Sequence, residues 1–99
     1  MARIELAPEV LKDFDRFIDH LSQFEVENIP ARITEIIQAV QILSHSPLIG
    51  RKVRAGKREL VIGKDARGYV ALYRFVPDID TVFVLAVRSQ RESGYRGNR

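Results

Sequence analysis

The sequence predicts an α+β fold: a helical hairpin packed on one face of a mostly antiparallel four-stranded sheet, in the order β-α-α-β-β-β. Three observations predict it. Apolar residues recur at helical spacing twice before residue 50. After residue 50 the period changes to that of strands, in three runs. The links between those runs are short and rich in turn residues, which favours antiparallel neighbours in a meander.

Taken in order, ARIELA (2–7) alternates Ile4 and Leu6 with Arg3 and Glu5, as a half-buried strand does. Pro8 suits the first turn of a helix, where its missing N–H is no loss. Val10, Phe14, Phe17, Leu21 and Phe24 then recur at steps of 4, 3, 4 and 3, with Leu11 and Ile18 widening the stripe. Lys12, Asp13, Arg16, Asp19 and His20 fall on the side expected to face water. After the short link EVEN, Asn28 is the expected N-cap and Pro30 lies in the next first turn. Ile29, Ile33, Ile36, Val40 and Leu43 repeat the spacing, helped by Ile37, and Pro47 ends the helix. The aromatics of the first stripe read as core.

GRKVRAGKRELVIG (50–63) runs through a basic loop into a strand at about Arg58 to Ile62. GKDARG supplies turn residues, GYVALYRFV a second strand, PDID a tight connection and TVFVLAVR a third strand. The last two are apolar on both parities: Tyr69, Ala71, Tyr73 and Phe75 oppose Val70, Leu72 and Val76, while Val82, Val84 and Ala86 oppose Phe83, Leu85 and Val87. Two helices cover one face of such a sheet, and strands this apolar expect cover on both. An exposed apolar face beyond a few hundred Å² marks a binding surface. A homodimer contact, or the C-terminal tail folding back, would cover it equally well.

Ninety-nine residues, 45% hydrophobic and 29% charged, make one globular domain. We assign residues 1–95 to it and 96–99 to a frayed tail. Cysteine is absent, which excludes disulfides and thiolate metal sites and fits a cytoplasmic protein. No signal peptide core or membrane-length apolar segment is visible, so no membrane partner is expected. Residues 1–50 hold four Lys/Arg against eight Asp/Glu, and residues 51–99 hold twelve against five. The second half is the basic one, and it attracts nucleic acid or an acidic partner. A solvated basic face without a partner has the same composition.

Little in the chain announces catalysis. His20 and His45 have no metal-ligand spacing, and there is no phosphate loop or nucleophile elbow, so neither metal nor cofactor is expected. What stands out is a set of cations with a tyrosine. Arg51, Lys52, Arg54, Lys57 and Arg58 put five cations into eight positions, Arg74 interrupts an apolar strand, and Arg88, Arg91 and Tyr95 follow the last one. The meander is expected to gather Lys57, Arg58 and the Arg88–Arg91 segment at one end of the sheet, with Arg74 nearer the middle or the opposite end. Such a patch binds phosphate, with an aromatic platform; a solvated strand end with a loose tail is the plainer reading. Arginine and tyrosine are weak bases, so in RNA cleavage the arginines would supply charge stabilisation, with Glu92 or Lys57 as the base.

The order of elements, and above all RELVIGKDARGYVALYRFVPDIDTVFVLAVRSQRESGY (58–95), resembles the RelE/ParE superfamily of bacterial type II toxin–antitoxin modules, often labelled plasmid stabilisation proteins. GYVALYRF followed by VFVLAVRSQRESGY carries it most sharply, and the likeness spans nearly the whole chain. The resemblance implies one of two activities. RelE-like members cut mRNA on the ribosome with strand lysines and arginines and a C-terminal tyrosine, and Lys57, Arg58, Arg91 and Tyr95 match that set. ParE-like members bind and poison DNA gyrase. Val70 stands where RelE-like proteins carry arginine after the Gly68-Tyr69 pair, and the interval from Arg91 to Tyr95 is shorter than theirs. Both departures favour the ParE-like branch.

On that branch Arg51, Lys52, Arg54, Arg74, Arg88 and Glu92 are the candidates for binding a target or nucleic acid. Both branches imply an acidic antitoxin wrapping the toxin as a helix in a groove and as an added strand; Val70, Leu72, Val82 and Val84 are its expected contacts. A homodimer or a toxin–antitoxin heterotetramer is the expected assembly. A non-toxic basic nucleic-acid-binding module of the same fold is the alternative outside the toxin class.

Overall fold

A computed structural model describes residues 1–23, 29–63 and 68–89. The chain opens with strand β1 (Arg3–Leu6) and two helices, α1 (Pro8–Gln23) and α2 (Ile29–Ile42). Four strands follow: β2 (Arg51–Lys52), β3 (Arg58–Ile62), β4 (Tyr69–Val76) and β5 (Thr81–Ser89). They form one five-stranded sheet in the order β1-β5-β4-β3-β2. β1 runs parallel to β5, and the other pairs are antiparallel.

The α+β class, the element order and the meander are as expected; the strand count is not. The extra strand is Arg51–Lys52, read above as part of a basic loop. Val53 N–H donates to the Lys57 carbonyl at 2.9 Å and Lys57 N–H to the Arg54 carbonyl at 3.2 Å, closing a hairpin onto β3. Ala55 and Gly56, both at positive φ (59° and 72°), are its two central residues. Two successive residues at positive φ give the turn a twist that suits a β-hairpin. Alternation over two charged residues is invisible in a sequence, so only the pairing reveals this strand.

The helices cover one face of the sheet. Val10 of α1 and Ile36, Val40 and Leu43 of the second stripe join Ile62, Tyr69, Ala71, Tyr73, Val82, Val84 and Val87 in one buried cluster, with Phe14, Ile33 and Phe75 packed against it. Leu11 and Ile18, which the stripe included, are exposed at 60% and 41%, and Ile37 is exposed as well. The apolar arc facing the sheet is therefore narrower than the spacing implied. Leu43 and His45 lie just past α2, which ends at Ile42. The expected cap Asn28 and the residue Phe24 lie outside the described residues.

β5 corrects a further expectation. Leu72 pairs with Ala86 and Tyr73 with Val84, so Leu85 is an extra residue, a β-bulge. The bulge shifts the alternation by one. Val82, Val84 and Val87 all face the helices with no exposed surface, although their numbers differ in parity. Val82 and Val84 were expected to meet the antitoxin; they are sealed in the protein's own core.

Candidate functional site

Residues paired in register share a face of a sheet. The far face, opposite the helices, is built in rows. Val61 pairs with Val70 and Val70 with Arg88; Glu59 pairs with Leu72 and Leu72 with Ala86; Arg74 pairs with Phe83. Val61 is 58% exposed, while Leu72, Phe83 and Ala86 are half-buried. Val70 is buried yet does not belong to the core cluster. Of the four expected antitoxin contacts, Val70 and Leu72 lie on this face. Arg51, level with Glu59, bonds its carboxylate (Nη2 to Oε1, 2.6 Å), and with Arg74 it makes a polar border to the apolar rows.

The cations do not gather as expected. β3 and β5 are separated by one strand in a meander and run in the same direction, so their starting ends coincide. Arg58 is level with Tyr73 and Val84, whereas Arg88 is level with Val61. From Val84 to Arg88 is four residues along β5, on the order of 13 Å. Arg74, placed above away from Lys57, is the residue that joins it. It lies one step beyond the Arg58–Tyr73 pair, and its Nη2 donates to the Ala55 carbonyl in the β2–β3 turn at 2.8 Å. The cationic end thus comprises Arg51, Lys52, Arg54, Lys57, Arg58 and Arg74, without Arg88. Arg91, Glu92 and Tyr95 lie outside the described residues.

Within that end Arg58 is committed elsewhere. Lys57 has extended backbone and Arg58 opens β3, so their side chains leave on opposite faces. Arg58 Nη1 donates to the carbonyls of Gly50 (2.8 Å) and Leu48 (3.1 Å), on the helix side. Gly50 N–H donates to Tyr73 Oη at 2.8 Å, and Tyr73 is wholly buried. Only glycine fits at position 50: a Cβ there would stand 2.7 Å from Glu59 O and from Tyr73 Oη. Tyr73 and Arg58 together clamp the segment between α2 and β2 onto the sheet.

The far end holds a residue that the sequence reading turned toward water. Asp13 of α1 is 3% exposed. Its Oδ2 accepts from Val87 N–H at 2.9 Å, and its Oδ1 accepts from Arg16 (2.9 Å) and from Arg88. Arg88, whose backbone pairs with Val70, therefore has its guanidinium held by Asp13 of α1 and is not presented alone as a target contact. The signal was its spacing: position 13 is three residues after the buried Val10, on the margin of the apolar stripe. His45 is exposed, and among the described residues no group of His, Asp and Glu could hold a metal ion.

The sequence model of the ParE toxin of type II toxin–antitoxin systems, parDE, matches residues 4–94. The chain belongs to the ParE toxin family. No curated protein matches it in sequence. In fold it is similar to a chain of the chromosomal ParDE toxin–antitoxin system from P. aeruginosa (TM-score 0.73, 18% identity, 90% of this chain and 96% of that one). It is similar also to a chain of the RelBE2 toxin–antitoxin complex from Mycobacterium tuberculosis (TM-score 0.60, 19% identity, 89% and 96%). A third likeness is to the E. coli RelBE complex (TM-score 0.54, 18% identity, 90% and 96%). The ParE family match takes in the helices, nearly all of the sheet and the clamp of Tyr73 and Arg58.

Proposed function

We propose that this ParE-family toxin arrests growth by binding and inhibiting DNA gyrase, and that a cognate acidic antitoxin neutralises it by covering the far face of the sheet. The observation that carries the first part is the position of Arg58. A nuclease site of this fold would need the strand cations to converge on one phosphate. Arg58 points to the helix side and is bound to two backbone carbonyls, while Lys57 belongs with Arg74 on the other side. A protein-binding role asks for no such convergence. The antitoxin reading rests on Val61, Leu72 and Phe83, on a face with no helix over it among the described residues, bordered by cations that favour an acidic chain.

The test uses the purified full chain with gyrase, ATP and supercoiled plasmid. Cleavage complexes, seen as linear DNA after detergent and protease, are expected. Their absence, with growth arrest intact in cells, removes gyrase as the target. The second reading is ribosome-dependent mRNA cleavage, favoured by the cations collected around Arg74 and by the likeness in fold to RelBE complexes. It requires new mRNA 5′ ends in arrested cells that disappear with Arg91→Ala and Tyr95→Ala. Harmless induced expression would point instead to a non-toxic basic module.

A further inference from the structure

Two ties hold one corner of the molecule. In the first, the clamp of Tyr73 and Arg58 fixes the backbone of Leu48 and Gly50, and Ile49 N–H donates to the Ser46 carbonyl at 3.1 Å. In the second, Arg74 holds the β2–β3 turn through the Ala55 carbonyl. Both ties present side chains outward. Leu48 and Ile49 stand 59% and 58% exposed on this tied segment. Lys52 and Arg54 follow three and five residues after Ile49, both are exposed, and neither has a side-chain partner among the described residues.

Two adjacent exposed aliphatics on a fixed backbone next to free cations make a preorganised binding corner, because little ordering cost remains to be met on association. Exposed aliphatics elsewhere lack this setting: Leu11 and Ile18 ride on α1 beside the acids Asp15 and Asp19. The cations call for an acidic partner. Residues 51–58 carry five of them and no acid, and the next residue, Glu59, is already taken by Arg51. The aliphatic pair calls for protein, since a phosphate backbone has nothing to gain from Leu48 and Ile49. Arg58 reaches the Leu48 carbonyl from the helix side of the sheet, away from the face assigned to the antitoxin.

We propose that Leu48 and Ile49, with Lys52 and Arg54, are the toxin's contact with its protein target, and that the target offers an acidic surface with an apolar socket. The proposal rests on the reading that the toxin acts by binding a protein, and its test separates the two.

The experiment expresses the full chain from an inducible promoter as wild type, as Leu48→Ser/Ile49→Ser, as Lys52→Glu/Arg54→Glu, and as Leu11→Ser, an equally exposed aliphatic on α1. Growth arrest is scored in each, soluble protein and melting temperature are checked, and gyrase cleavage complexes are assayed in the same cells. Both corner variants should fold like the wild type and need at least about tenfold more protein to arrest growth, as loss of central contacts does; Leu11→Ser should arrest as the wild type does. Arrest unchanged in either corner variant overturns the proposal whatever gyrase does. Loss confined to the charge reversals means a phosphate-bearing target and overturns the protein partner. Loss in both corner variants without gyrase complexes in the wild type keeps the corner and removes gyrase. A wild type that does not arrest growth sinks both.

Discussion

Asp13 on α1 and Arg88 near the end of β5 are 75 residues apart in the chain and share a hydrogen bond at the boundary between helix and sheet. Their meeting has a backbone cause. β1 stops at Leu6, opposite Val84, while β5 continues to Ser89. Val87 N–H lies beyond the reach of β1, and Asp13 takes the place of the missing strand by accepting from it. A buried carboxylate needs counter-charge, and Arg88 and Arg16 supply it.

Asp13→Ala should therefore cost about 3 kcal/mol, because it leaves Val87 N–H unsatisfied and two cations without their acid. Arg88→Ala should cost about 1 kcal/mol, since Arg16 remains and the Arg88 side chain is 31% exposed. Urea denaturation orders the two variants. An Asp13→Ala protein as stable as Arg88→Ala would remove the strand-replacement role.

At Gly50 the expected cost comes from space. A Cβ at 2.7 Å from Glu59 O and Tyr73 Oη forces the backbone apart, so Gly50→Ala should lose about 2 kcal/mol or more. Tyr73→Phe keeps the ring but strips Gly50 N–H of its acceptor, for about 1–2 kcal/mol. Thermal unfolding of both variants checks this, and a silent Gly50→Ala contradicts the geometry.

The β2–β3 turn offers a gain. Ala55 holds φ 59°, a left-handed conformation that disfavours a Cβ. Asn and Gly adopt it at the first central position of such turns, so Ala55→Asn should stabilise by about 0.5–1 kcal/mol. A melting temperature that falls would mean that the turn has another conformation in solution.

The two faces should separate stability from binding. Val84→Ala opens space in the core and is expected to cost about 2 kcal/mol, while Val61→Ala stays within about 0.5 kcal/mol. Leu72→Glu and Phe83→Glu should leave the helix-side core intact and abolish co-purification with co-expressed antitoxin. Co-purification retained in both would move the antitoxin off this face.

Some of this was readable in advance because it depends on near neighbours in the chain. Val10 and Phe14, like Ile36 and Val40, recur at the pitch of a helix, and Arg58–Ile62 and Tyr69–Val76 are bounded by turn residues. Those signals produced the elements, their order and the resemblance that the family match bears out. The site was less legible. Leu11 has the same spacing signal as Val10 and is exposed, because periodicity gives an arc and only the sheet decides how much of it is covered.

By itself, then, the sequence determined both helices and four of the five strands, that the second half is basic, and which family the chain belongs to. Tertiary structure decided which apolar residues are core, where the cations meet and what Asp13 does. One bulged residue, Leu85, turned Val87 inward beside Val82 and Val84, and strand direction set Arg74 beside Lys57 and Arg88 at the other end. The reason is physical: helix and strand preferences come from contacts a few residues apart, whereas register, bulges and charge pairing are set between segments as far apart as Asp13 and Arg88.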